Sequence, residues 1–195
     1  MIYWIGYYLV KILSFIFCPL KIYGRENVPV QGSLVLASNH QSNLDPLLIA
    51  ISLRRKIHFM TKDSLFQNKI LGFILRKGNA FPVRRDSADI RSLREAIRRV
   101  KNGGGLLIFP QGTRQLEPVL QGQQGIGFLV AKTQVPVIPV WVSDSEKVMP
   151  PGSKWLKRHS VSVTFGQPKH YSGQEYEEIV DKVMQDIFAL KNSRS

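Results

Sequence analysis

The sequence predicts an α/β domain: a mixed, largely parallel sheet flanked by helices, with an N-terminal interfacial membrane helix ahead of it. Three observations carry this. Short apolar runs of strand length, such as Leu34 to Ala37 and Leu106 to Phe109, recur along the chain. Between them lie stretches with helical apolar spacing, and strands alternating with helices give a layered α/β architecture. The first twenty residues are almost wholly apolar and rich in aromatic side chains.

That first segment, Met1 to Leu20, holds Tyr3, Trp4, Tyr7 and Tyr8, the side chains that favour a lipid headgroup layer. Its unbroken apolar part falls short of the ~20 residues a span requires, and Lys11 interrupts it. It predicts a helix lying in the membrane interface, the alternative being a helix packed on the core. Without a basic leader or small-residue cleavage site, no cleaved signal peptide is expected. The division is residues 1–22 as membrane helix and 23–195 as the domain.

Leu34 to Ala37 predicts a strand and Asp45 to Leu53 the helix after it. Lys56 to Met60 is a candidate second strand. Leu65 to Leu75 has a helical pattern with Lys69, Arg76 and Lys77 at its ends, and Asn79 to Val83 is a short strand. Ser87 to Val100 is amphipathic: Ile90, Leu93, Ile97 and Val100 form one face, and Arg91, Arg94, Arg98 and Lys101 another. Gly103 to Gly105 ends it. Leu106 to Phe109 is a buried strand, Gly125 to Lys132 a helix, and Val135 to Val142 a buried strand whose Pro136 and Pro139 suggest an edge or bulge. Val161, Val163 and Phe165 alternate as in a strand. Ser172 with Glu175 predicts a capping box for a last helix striped by Tyr176, Ile179, Val180, Val183 and Ile187. Ligands of such sheets sit beyond the carboxyl ends of the strands, so the loops after Ala37, Val83 and Phe109 are expected to meet.

The 195 residues suffice for one domain with a real core, and 44% hydrophobic content excludes disorder. The 27 lysines and arginines against 14 acidic residues, a formal charge of +13, imply an anionic partner: lipid surface, phosphorylated or acidic substrate, or nucleic acid. The single thiol, Cys18, makes no internal disulfide and no cysteine-rich metal site. No zinc-finger spacing, RNA-binding sheet signature or P-loop is present, so no nucleic acid is expected.

The chemistry concentrates in Asn39-His40-Gln41-Ser42-Asn43-Leu44-Asp45. A neutral imidazole accepts a proton near pH 7, and a carboxylate on its other nitrogen fixes the tautomer. No nucleophile stands nearby, so the pair suits a reaction in which the substrate supplies the hydroxyl. The plainer alternative makes Asp45 an N-cap ahead of Pro46. Arg84 and Arg114 each follow a strand, and arginine is the side chain for bidentate phosphate recognition. Gly112 permits a sharp turn or close approach to a ligand.

Four segments, in order, resemble the glycerolipid acyltransferase family, specifically the lysophosphatidic acid (1-acylglycerol-3-phosphate) acyltransferases. Asn39 to Asp45 matches Asn-His-x-Ser-x-x-Asp. Gly78, Phe81 and Arg84 match Gly-x-x-Phe-x-x-Arg. Phe109 to Arg114 matches Phe-Pro-Glu-Gly-Thr-Arg except at Gln111, and Val135 to Val140 matches Val-Pro-x-x-Pro-Val. Gln124 also stands where many members carry Lys. The resemblance spans about Ile22 to Pro168. It implies an O-acyltransferase on the cytoplasmic face of a membrane, with acyl-CoA or acyl-carrier protein as co-substrate, no metal, and a lysophospholipid acceptor on an anionic lipid surface. His40 would be the general base and Asp45 its orienter. Arg84, Gln111, Gly112, Thr113 and Arg114 would bind substrate, and a backbone N–H would stabilise the oxyanion. Other acceptors within the same reading are glycerol-3-phosphate, ornithine lipid or another lysolipid. A reading of a different class is a non-enzymatic basic protein that binds membranes or nucleic acid.

Overall fold

The computed structural model describes residues 2–84, 89–115, 119–150, 153, 155–173 and 175–192. Its centre is a seven-stranded sheet in the order β1-β7-β6-β2-β5-β3-β4. The strands are β1 (Leu20–Tyr23), β2 (Leu34–Ser38), β3 (Ile57–Lys62), β4 (Ala80–Val83), β5 (Gly105–Ile108), β6 (Val137–Ser143) and β7 (Val161–Phe165). The five strands from β6 to β4 run parallel. β7 opposes β6, and β1 runs parallel to β7.

The helices are α1 (Ile2–Phe17), α2 (Asp45–Ser52), α3 (Lys69–Lys77), α4 (Ile90–Lys101), α5 (Gln124–Thr133), α6 (Ser145–Val148) and α7 (Tyr176–Asn192). They cover the sheet in two layers. Leu48, Ile49 and Ile51 of α2 pack with Leu34, Leu36 and Ile57 under α1. Ala96 and Val100 of α4, Ile126 and Leu129 of α5, and Ile179, Val183 and Ile187 of α7 pack with Val35, Ala37 and Leu106 on the other face. β2 lies at the middle and is buried at every residue, so it reads as a continuous apolar run with no alternation.

Three expectations from the sequence are corrected, and two elements were missed. The Leu65–Leu75 helix is two pieces, a 3₁₀ turn (Asp63–Phe66) and α3, because the Asn68 side chain accepts from the N–H groups of Ile70 and Leu71 and starts a new helix. Ile90 is exposed, not part of the buried face of α4, whose predicted start at Ser87 lies outside the described residues. The Ser172–Glu175 capping box does not form, since α7 begins at Tyr176. β1 and the short α6 were not anticipated; β1's partner is β7, far along the chain.

Pro139 stands not at an edge but in β6, between β2 and β7. Its missing N–H falls opposite Gly166, one residue past the end of β7, where a single bond from Gly166 N–H to Pro139 O closes the pairing. A Cβ on Gly166 would lie 2.7 Å from Pro139 Cγ, so this proline and this glycine end β7 together.

α1 has two characters. Tyr7 and Val10 pack against the core, and the Tyr7 hydroxyl donates to Ile51 O at 3.1 Å. Ile5, Leu9, Ile12, Phe15 and Ile16 are exposed. No helix among the described residues is long and apolar enough to cross a membrane.

α5 and α7 meet at Gly127, where an added Cβ would collide with the Tyr176 carbonyl oxygen. Gly127→Ala should therefore destabilise by about 1–3 kcal/mol, the usual cost of overpacking. Gly125→Ala, whose Cβ would meet only Leu93 at 3.8 Å, should be neutral or gain up to about 1 kcal/mol from helix propensity. Urea unfolding of the two variants checks the contrast.

Candidate active site

The site begins where β2 ends. Asn39 continues the sheet with its side chain: Nδ2 donates to Val142 O at 2.8 Å, and Oδ1 accepts from Val142 N at 2.7 Å. This clamp on β6 fixes the point at which the chain leaves the sheet. The next six residues turn back into α2, and Asp45 holds that turn. Its Oδ2 accepts from Gln41 N at 2.7 Å, Ser42 N at 2.8 Å and His40 Nδ1 at 2.8 Å. Asp45 is fully buried and His40 nearly so. Leu44, not Asp45, occupies the N-cap of α2, and Asp45 is its first residue, so the carboxylate serves the loop behind it. Sequence spacing alone could not separate these roles.

An ionised carboxylate only accepts, so the proton between the pair resides on His40 Nδ1. That leaves Nε2 as the ring's acceptor, and His40 lines a cavity of about 500 Å³. The Phe109 ring stacks on the imidazole at 4.0 Å and 20°. The β5 loop also holds His40 by its backbone. His40 N–H donates to Gln111 Oε1 at 3.2 Å, and Gln115 N–H donates to His40 O at 2.8 Å.

The cavity opens between β2 and β5. The chain leaves β2 for α2 on one face and β5 for α5 on the other, so the two loops diverge and leave a crevice at the carboxyl edge. Its walls include Met60, Leu93, Ile108 and Ile126, which are apolar, and Arg84, Gly112, Thr113 and Gln123 nearer the polar loops. Gly112 has φ 72°, a left-handed backbone that favours glycine, and a Cβ there would push aside the Gln123 amide.

The structure thus gathers His40, Arg84, Gly112 and Thr113 around one space, with Asp45 buried behind His40. Arg84 is exposed and lies 3.8 Å from Asp63, an ion pair too solvated to hold it strongly. Gln111 is buried behind His40 with both ends engaged, its Nε2 donating to Val119 O at 3.1 Å. Arg114 is exposed and not among the cavity walls. Sequence reasoning gave Asn39 no role within its motif and passed over Gln115 and Asp89. Asp89 caps α4 through Ser92 N and also accepts from Arg84 N. The Arg84 N–H, more than any other contact, holds its carboxyl below the usual range. The signals for these three lay in partners distant along the chain or in backbone contacts.

Residues 19–143 match the model of a family described as Acyltransferase. The chain belongs to the acyltransferase family. It is 31% identical to the 1-acyl-sn-glycerol-3-phosphate acyltransferase of Bacillus subtilis (strain 168), over 77% of this chain and 74% of that protein. It is 31% identical to the chloroplastic enzyme of that name, LPAT1, from Arabidopsis thaliana, over 80% of this chain and 45% of that longer protein. The crystal structure of the 1-acyl-sn-glycerophosphate (LPA) acyltransferase PlsC from Thermotoga maritima superposes with a TM-score of 0.74 at 25% identity, covering 100% of this chain and 80% of that one. An acyltransferase replaces the non-enzymatic reading of the basic surface.

Within this acyltransferase, Gln111 uses its amide in a way Glu cannot, because a carboxylate has no hydrogen to give Val119 O. Gln111→Glu should lower stability at pH 7 by about 1–3 kcal/mol, the cost of a buried group left without its partner. The new carboxyl gains by staying neutral, so its folded-state pKa is raised. The deficit is then present at neutral pH and shrinks as pH falls toward about 4. Denaturant unfolding at the two pH values measures it.

Proposed function

We propose that the chain transfers a fatty acyl group from a thioester donor, acyl-CoA or acyl-carrier protein, to the free hydroxyl of 1-acylglycerol-3-phosphate, giving phosphatidic acid. The observation that carries this reading is the 2.8 Å contact of His40 Nδ1 with a buried carboxylate, in a ring that lines the cavity. His40 Nε2 takes the hydroxyl proton as the oxygen attacks the thioester carbonyl. The tetrahedral intermediate collapses, the C–S bond breaks, and the imidazolium returns the proton to the thiolate. Asp45 stabilises that imidazolium, and the face of Phe109 adds a weaker attraction. The thioester is already activated, so a base, its orienter and positioning suffice.

Arg84 on the cavity wall holds the acceptor phosphate, with Gly112 and Thr113 shaping the space. Arg114 is the second cation offered to that phosphate. Support for the acceptor comes from the names of the relatives. The exposed face of α1 seats the protein on the cytoplasmic face of an anionic membrane, where such an acceptor resides. One observation keeps a different acceptor open. Gln111 is not among the cavity walls, whereas Gln124, the other departure from the family pattern, is, and glycerol-3-phosphate, ornithine lipid and other lysolipids belong in the same assay.

His40→Ala should lower turnover between roughly a hundredfold and ten-thousandfold while leaving the fold intact, and Asp45→Asn should be comparably severe. Mass spectrometry of lipids formed from a panel of acceptors and donors reads this directly. Near-normal turnover in His40→Ala would sink the mechanism. Arg84→Ala should weaken the acceptor's apparent affinity at least tenfold, as loss of a charge-assisted contact worth about 1.5–3 kcal/mol predicts, with the donor little affected. Lys at position 84 should rescue only in part. Equal losses for phosphate-bearing and phosphate-free acceptors would make Arg84 structural.

A further inference from the structure

α3 is built the wrong way round for a helix on a protein core. Its apolar residues should face inward, yet Gly72 is its one buried residue. Ile70 is 75% exposed, Phe73 50%, Ile74 52% and Leu71 38%, with Leu65 of the preceding turn at 44%. A contiguous apolar surface of this kind on a soluble domain marks an interaction site. Its border is cationic: Lys69, Arg76 and Lys77 are all exposed. Lys77 Nζ lies 5.6 Å from the Phe73 ring centre and Arg76 5.7 Å from that of Phe66, so the cations stay beside the apolar patch. α3 also packs against α1, which joins its surface to the exposed Ile5, Leu9, Ile12 and Phe15.

We infer that α3 is a second lipid-insertion element, forming with α1 one surface that docks on an anionic bilayer. Apolar side chains ringed by lysine and arginine are the composition of an interfacial helix, and α1 supplies the continuation. The placement also serves the site. α3 is reached through the turn beginning at Asp63, which lies 3.8 Å from Arg84. It leads into β4, which ends beside the same arginine. A headgroup layer against α3 therefore lies next to the cation proposed for the acceptor phosphate. This inference rests on the membrane seating proposed above for α1.

The test is flotation of the full chain with vesicles of phosphatidylglycerol and phosphatidylcholine, and with phosphatidylcholine alone. Ile70→Ser, Phe73→Ser and Ile74→Ser together should weaken partitioning onto the mixed vesicles at least tenfold. Because these residues are exposed, thermal unfolding and transfer to a short-chain, non-micellar acceptor should stay as in the wild type. Lys69→Gln, Arg76→Gln and Lys77→Gln together should weaken binding severalfold on anionic vesicles and leave the neutral ones unaffected. Ile5→Ser, Leu9→Ser and Ile12→Ser on α1 form the comparison. If they release the protein and the α3 triple does not, the α3 inference is overturned while membrane seating stands. If the wild type binds neither vesicle, both fall. If sedimentation shows a wild-type dimer that the α3 triple converts to monomer, the patch is a contact between copies and the inference is overturned.

Discussion

One carboxylate oxygen organises the site. Asp45 Oδ2 accepts three N–H groups within six residues of chain: two from the loop backbone and one from the imidazole it faces. Hydrogen bonds to an ionised oxygen are about twice as strong as neutral ones. The turn after β2 and the orientation of His40 are thus fixed by the same atom. The loop cannot relax without freeing the ring, and the ring cannot rotate without leaving a buried charge poorly paired. The partner oxygen, Asp45 Oδ1, is buried with no hydrogen-bond partner among the described residues. Such an arrangement costs stability.

Everything else brings material to that turn. β2 is buried along its length, so its end is a stiff mount. Asn39 ties the mount to β6, and the loop after β5 grips His40 from both sides of its backbone through Gln111 and Gln115. The crossover to opposite faces then leaves a crevice at that place. The Gln123 amide packs over Gly112, where a Cβ would displace it.

The sheet and both catalytic candidates were legible because their signals are local. The continuous run of β2, the 3.6-residue stripes of α4 and α7, and the four-residue gap between His40 and Asp45 each fit in one window of sequence. What escaped depended on partners remote in the chain. β1 is a strand because β7 lies beside it. Pro139 is tolerated inside the sheet because β7 stops opposite it, so the rule that confines proline to edges held for one neighbour only. Asp45 resembled an N-cap because Asp-Pro is a common helix start, and only the backbone path shows which way its carboxylate points. Gln111 stood in a motif associated with the acceptor, yet its amide is spent on His40 and Val119.

The central claim is that Asp45 fixes His40 in the tautomer that leaves Nε2 free to accept a proton. A long-range proton–nitrogen NMR spectrum of the uniformly ¹⁵N-labelled protein near neutral pH, with His40 assigned by its substitution, measures this without a substrate. The expected result is a proton on Nδ1, with Nε2 bare in the neutral form of the ring, and loss of that preference in Asp45→Asn. A wild-type His40 protonated at Nε2 alone would contradict it.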